Sequence, residues 1–358
     1  MLAPLLDHLP ELAARLPRVP LGTWPTPLAP LPLPGPPVLV KREDLSAPGY
    51  GGNKVRTLEL VLGAARAAGK RRLWATGAYG SNHVLAAAHH APAAGLAPAA
   101  LLWPQPPSAS ARRNVEALLA LGVPLALCAS VATFPAAALV RRWREPDACV
   151  MPPGAATPLG ALGHVGAALE LADQCAALGL PGVGAIVLAC GSNATTAGLL
   201  VGTALASHLG HPGARRLPEL HAVRVTPRVV TSIHRIAGLA AHTAALLAAL
   251  GGPTLPTSRA AWAARLVPTS AYLGRGYGHA TPHGDAALAT FAAHGLALDP
   301  TYTAKAAAYL LARSAALPGP VVFWHTKASS PLPRPTAAAL AAAPPALRRW
   351  LARCPDAP

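Results

Sequence analysis

An alternation of apolar, strand-like runs with helical stretches constrains this chain more than any other feature. After a helical pattern at 57–69, apolar runs at 71–76, 98–103, 123–128 and 148–152 are separated by helical stretches at 82–94, 112–121 and 136–143. A second series follows. The long helical stretch 158–179 leads to a buried strand at 184–190, a loop at 191–198, a strand at 219–226, helices at 236–250, 285–295 and 300–314, and a last buried strand at 320–326. Such alternation predicts an α/β fold of parallel sheets with helices on both faces. At 358 residues, 52% of them hydrophobic, the chain has enough core for two lobes. The expected division is a large domain from 1–50 and 155–358 and a small, mobile domain from 51–154.

Chemistry concentrates where the first strand of the small lobe's neighbourhood ends. KREDLSAPGYGGNKVRTLEL, residues 41–60, runs from a short buried strand through glycines into a helix and places Lys54 at the loop-to-helix junction. A lysine that forms a Schiff base needs a desolvated, partly neutral amine and a backbone that lets a flat cofactor approach. Gly51 and Gly52 permit that approach. The chain holds only five lysines, Lys41, Lys54, Lys70, Lys305 and Lys327, so there are few competitors. On position alone, Lys54 suits a solvated first-turn helix residue equally well.

Composition excludes several classes. The net charge of +16 invites a nucleic-acid reading, but all but five of the 30 basic residues are arginine, scattered in pairs and triplets without interleaved aromatics. No nucleic-acid partner is expected, although the charge should draw small anions. Five cysteines without CxxC spacing and no basic-flanked leader suggest reduced thiols in the cytoplasm. Cys190 reads as a packing residue rather than a nucleophile. No run reaches membrane length uninterrupted, and neither a metal site nor a membrane partner is expected.

Two further junctions carry polar groups. GAYGSNHVLAAA places Ser81, Asn82 and His83 at a helix N-terminus, which binds anions but equally describes an ordinary cap. ACGSNATTAG sets Gly191, Ser192, Asn193, Ala194, Thr195 and Thr196 between a buried strand and a helix, where free amides and hydroxyls can cradle a phosphate. Helix capping explains that segment too.

GGNK, with TPLAPLPLPG, GAYGSNHV, GRGYGHATPHGD and LDPTYTAKA in order from about Leu21 to Pro331, resembles the D-cysteine desulfhydrase and aminocyclopropane-carboxylate (ACC) deaminase family of fold type II pyridoxal-phosphate (PLP) enzymes. The resemblance implies that Lys54 carries PLP and takes the substrate α-proton. It implies that Ser81 holds the substrate carboxylate and Asn82 the cofactor phenolic oxygen and substrate, with His83 beside them. The phosphate cradle would be residues 191–196. Tyr277 and Tyr302 would contact substrate, Tyr277 with a catalytic part, though a buried aromatic explains Tyr277 as well. Thr303 and Thr326 would line the cofactor.

Several positions depart from the family. Its phosphate loop has more glycine, and His283 stands where many members have glutamate. Tyr302-Thr303 matches the desulfhydrases, since deaminases have Tyr-Glu. His325-Thr326 also matches, but Lys327 and Ala328 replace two glycines. The resemblance therefore implies a homodimeric lyase or deaminase that eliminates the β-substituent of a small amino acid such as D-cysteine, giving pyruvate, ammonia and sulfide. Ring opening as in ACC deaminase, β-replacement synthesis and a non-catalytic PLP-binding protein are the alternatives. Lys327 is expected to turn outward to solvent.

Overall fold

In the computed structural model, which describes residues 4–355, the alternation resolves into two sheets. Helix α1 (Pro4–His8) precedes an antiparallel pair, β1 (Leu28–Leu31) and β2 (Val38–Arg42). The proline-rich entry, whose composition bars helix and central strand and leaves extended backbone, supplies a strand. It lies at the sheet edge, where Pro30 is tolerated because no ladder N–H is required of it.

Helix α2 (Lys54–Ala67) then opens a parallel unit: β3 (Arg72–Ala78), α3 (Asn82–His90), β4 (Ala97–Trp103), α4 (Ala109–Ala120), β5 (Leu125–Leu127), α5 (Phe134–Arg144) and β6 (Ala148–Met151). Its four strands run in the order β5-β4-β3-β6, all parallel. Leu73 and Ala75 of β3 point into one apolar cluster and Trp74 into another, so both faces are covered.

The chain continues through α6 (Pro158–Ala177), β7 (Ala185–Cys190), α7 (Ala194–His208), β8 (Glu219–Arg224), α8 (Ile233–Ala249), α9 (Arg259–Ala263), β9 (Leu266–Thr269), α10 (Pro282–Ala292), α11 (Thr303–Arg313) and β10 (Val321–His325). These complete a six-stranded sheet ordered β1-β2-β10-β7-β8-β9. Ile186 and Leu188 of β7 join Val322 and Trp324 of β10 in one core, while Val187 and Phe323 join Phe291 on the opposite face. That two-sided burial is why these strands read as continuous apolar runs.

The tail, grouped in the sequence with the large lobe, forms α12 (Ala337–Ala341) and α13 (Pro345–Leu351), and α13 packs on the four-stranded side. The Trp350 ring meets Tyr79 edge-on at 5.4 Å, and its indole N–H donates to the Gln105 carbonyl at 2.7 Å. At the other end, α1 is clipped to α6, because Asp173 accepts from Nε2 of both His8 and His211 at 2.9 Å. The Gly213 amide donates to Nδ1 of His211, which leaves the proton on Nε2. No helix among the described residues is long and apolar enough to cross a membrane.

A buried ion network joins these parts. Arg56 of α2 donates to Glu43 twice at 2.7 Å and to Glu170 of α6 at 2.9 Å, and it stacks 3.9 Å over the Trp24 ring. Lys41 of β2 pairs with Glu170 and donates to the Thr26 carbonyl at 2.7 Å. Burial would raise the Glu170 carboxyl, but Arg56 and Lys41 overrule it and hold it at about 2. Removing one partner leaves the others desolvated and uncompensated. Glu170→Gln is therefore expected to cost about 3–5 kcal/mol in denaturant unfolding. A loss below about 1 kcal/mol would mean the network relaxes as a solvated surface pair does.

Candidate active site

Two glycines decide where Lys54 sits. A Cβ on Gly51 would lie 2.3 Å from the Asp44 carbonyl oxygen, and Gly52, at φ +96°, would place one 3.0 Å from the Thr326 carbonyl oxygen. Without side chains the loop presses against the end of β10, where the Asn53 amide donates to the Thr326 carbonyl at 3.1 Å. Lys54 is consequently the first residue of α2. Its Nζ donates to the Gly154 carbonyl at 3.2 Å and to Ser192 Oγ at 3.1 Å. Both acceptors are neutral. Burial pushes the amine down to about 8, opposed only in part by Cys190.

The turn between β7 and α7 faces that amine. Asn193 adopts the left-handed conformation at φ 73° and provides no side-chain cap, so the first amides of α7 keep their hydrogen-bonding capacity. Thr226 and Thr231 hold the turn by donating to the Gly191 carbonyl at 3.2 and 2.6 Å. The Asn193 side chain donates from Nδ2 to the Val230 carbonyl at 3.0 Å. Thr195 and Thr196 face inward: Thr195 Oγ1 accepts from Asn53 at 2.8 Å and meets His164, and Thr196 donates to Cys190 Sγ at 3.3 Å. For Ala194, Thr195 and Thr196 the anion-binding groups are therefore backbone amides, whereas Ser192 offers its hydroxyl. Burial raises the Cys190 thiol to about 11, which suits a packing residue.

Across from the turn, Ser81 caps α3 by accepting from the Val84 amide. Asn82 Oδ1 accepts from Asn114 at 2.6 Å and from Lys327 Nζ at 3.2 Å. His83 is buried with neither ring nitrogen bonded, and burial together with the Lys54 charge keeps it neutral, well below its ordinary range. Tyr277 and Tyr302 share a 2.5 Å hydrogen bond, and burial pushes Tyr277 up to about 12. A Cβ on Gly191 would lie 3.2 Å from the Tyr302 ring, so Tyr302 and Lys54 flank the same two-residue turn. Thr303 begins α11 with its hydroxyl donating to the Asp299 carboxylate at 2.9 Å and accepting from the Asp299 amide at 2.7 Å. Thr326 contributes its carbonyl to the loop before Lys54.

Lys327 does not turn outward. It points to Asn82 and lies 5.8 Å from the Tyr50 ring centroid, and burial lowers its pKa. Lys305, another of the five lysines, carries no further signal in the sequence. It is buried, and its ammonium donates to the Leu273 and Gly276 carbonyls at 2.9 and 3.0 Å, bracing the loop that carries Tyr277. Tyr50, His164 and Asn114 escaped sequence reasoning, since no pattern distinguishes them from core residues. Asp299 left a signal. Its carboxylate accepts from the amides of Thr301, Tyr302 and Thr303, the helix start that Asp-Pro-Thr-Tyr-Thr encodes.

A desolvated amine, an uncapped helix N-terminus and the unbonded polar atoms of His83 and Tyr50 together suit a flat, anionic carbonyl cofactor. The family described as pyridoxal-phosphate dependent enzyme matches residues 19–327, and the chain belongs to it as a fold type II α/β enzyme. Within that family it falls in the D-cysteine desulfhydrase and ACC deaminase group. It is 38% identical to nocardicin C-9' epimerase of Nocardia uniformis subsp. tsuyamanensis, over 87% of this chain and 92% of that protein. It is 33% identical to D-cysteine desulfhydrase of Salmonella paratyphi A, over 90% and 95%. A crystal structure of an ACC deaminase homologue, 28% identical, superposes with a TM-score of 0.71 over 92% of this chain and 96% of that one.

The lowered Lys54 pKa has a measurable sign. The neutral Lys54 amine should form around pH 8 rather than at the ordinary 10.5. Stopped-flow uptake of PLP by the cofactor-free protein should speed up roughly fivefold between pH 7 and 8 and level off by about pH 9. A rate still climbing at pH 10 would mean a solvated lysine reacts.

Proposed function

We propose that the chain catalyses α,β-elimination from a small amino acid of the D-cysteine type, consuming water and releasing pyruvate, ammonia and sulfide. The observation that carries this reading is the placement of a desolvated Lys54 amine and the Tyr277–Tyr302 hydroxyl pair around one turn, Gly191–Ser192. PLP, when bound, supplies the electron sink that acidifies the substrate α-carbon. Lys54 holds the cofactor and, once freed, accepts the α-proton. Ser81 and the N-terminus of α3 would take the α-carboxylate, with His83 contributing to substrate binding, and Asn82 would hold the phenolic oxygen. The amides of residues 191–196 and the Ser192 hydroxyl take the phosphate.

In this reading Tyr277, hydrogen-bonded to Tyr302, gives a proton to the departing sulfur. Thr303 and Thr326 line the cofactor. The Thr303 hydroxyl is neutral and its hydrogen bond is donated to Asp299, so it supplies no charge that would protonate the pyridine nitrogen, and this favours rapid elimination over a long-lived carbanion. The 33% identity to a D-cysteine desulfhydrase supports the same assignment. In this reading residues 51–154 move to close over substrate, and the working unit is a homodimer in the cytoplasm.

A second reading has its own support, the 38% identity to an epimerase. Epimerisation begins with the same α-proton removal by Lys54 but returns a proton to the opposite face and releases nothing. Incubation in deuterium oxide with a panel of D- and L-amino acids separates the two. Elimination predicts pyruvate from D-cysteine, lost by roughly 10²- to 10⁴-fold in Lys54→Ala. Deuterium at the α-carbon of a recovered amino acid, without pyruvate from any substrate, would replace elimination with epimerisation.

A further inference from the structure

We infer that Lys327 is an anion receptor within the substrate pocket, selecting amino acids that carry a second carboxylate-class group on the side chain. The inference rests on the reading above in taking the ligand to be an amino acid whose α-carboxylate is held at Ser81 and the α3 N-terminus.

Lys327 is held in place by backbone. The turn after β10 is pressed against Gly52, whose added Cβ would meet the Thr326 oxygen at 3.0 Å and the Ala328 nitrogen at 3.2 Å. Ala328 is buried in the core of the four-stranded side. With both neighbours fixed, the Lys327 stem runs inward, and its ammonium reaches Asn82 Oδ1 at 3.2 Å beside the Tyr50 ring.

That ammonium lacks an anion. Among the described residues no carboxylate oxygen lies within 4.0 Å of it, and the nearest acidic influence is Asp299. The Asp299 carboxylate is already committed to the amides of Thr301, Tyr302 and Thr303 and to the Thr303 hydroxyl. Arg113 adds further positive field. A half-buried cation with one neutral acceptor is unfavourable unless something anionic arrives. The surroundings are also short of partners: the buried Tyr50 hydroxyl and both His83 ring nitrogens have none. A ligand with several acceptor and donor atoms would satisfy all of them at once. Its α-carboxylate has Ser81 and the α3 N-terminus, so the extra cation meets a second anion.

Isosteric pairs test this. Aspartate against asparagine and glutamate against glutamine, in both enantiomers, are titrated into the PLP-loaded protein while the cofactor absorbance reports binding. The acids are expected to bind roughly 10- to 100-fold more tightly than their amides, the range of a charge-assisted contact. Lys327→Met, which keeps the stem, and Lys327→Gly should abolish that preference while retaining the cofactor band and melting temperature of the parent.

No acid preference in the parent, or one that survives in Lys327→Met, overturns the inference. Equal weakening of acids and amides overturns it in a different way, by assigning Lys327 to the α-carboxylate. A cofactor spectrum unmoved by every amino acid removes the underlying reading as well, whereas an acid preference lost in Lys327→Met, in a protein that releases no pyruvate from D-cysteine, defeats elimination and leaves the receptor standing.

Discussion

The charge pairing of Arg56 with Glu43 and Glu170 is what the rest of the site depends on. Arg56 lies two residues beyond Lys54 on α2, and its two partners belong to the turn after β2 and to α6. These ions are buried, so separating any one from the others exposes an uncompensated charge to low dielectric. The start of α2 is therefore fixed relative to the six-stranded sheet, and the neighbouring lysine inherits that fixity. Gly51 and Gly52 complete the constraint by bringing the loop against the end of β10. Lys54 is drawn inward, and among the described residues its amine has a carbonyl and a hydroxyl as partners.

The electrostatics of the pocket follow from that placement. Lys54 and Lys327 both have lowered pKa values because burial disfavours the ammonium, and His83 is kept neutral by burial and by the nearby Lys54 charge. The first amides of α7 add partial positive charge beside Ser192. Asp299, the acidic residue nearby, spends its carboxylate on the start of α11. A pocket built this way attracts a phosphate and carboxylates, and burial lowers the Lys54 amine enough that its neutral form, able to add to a carbonyl or accept a proton, is reached around pH 8. Lys305 shows the same chemistry used structurally, since its ammonium is absorbed by two carbonyls that shape the Tyr277 loop.

Much of the fold was legible because two-sided burial writes itself as short apolar runs, as at Val187 and Ile186, which face opposite cores. The lysine, the glycine pair and the polar junctions at Ser81 and Gly191 were legible because backbone geometry restricts residue type there. The rest depended on contacts distant in sequence. Nothing local tells that Trp350 reaches Tyr79, that Glu170 completes Arg56, or that the proline-rich entry holds an edge strand. Lys327 departs from the sequence expectation for a related reason. A lone lysine normally seeks water, and only the packing of Ala328 and Gly52 on either side of it turns the side chain inward.

The central claim is that Lys54 is the residue that holds pyridoxal phosphate. Borohydride reduction of the PLP-loaded protein, followed by digestion and mass spectrometry, addresses it directly. The account predicts one reduced phosphopyridoxyl adduct, on the peptide containing Lys54, and none on Lys305 or Lys327. An adduct on either of those lysines, or no adduct in protein that retains its cofactor absorbance, would contradict it.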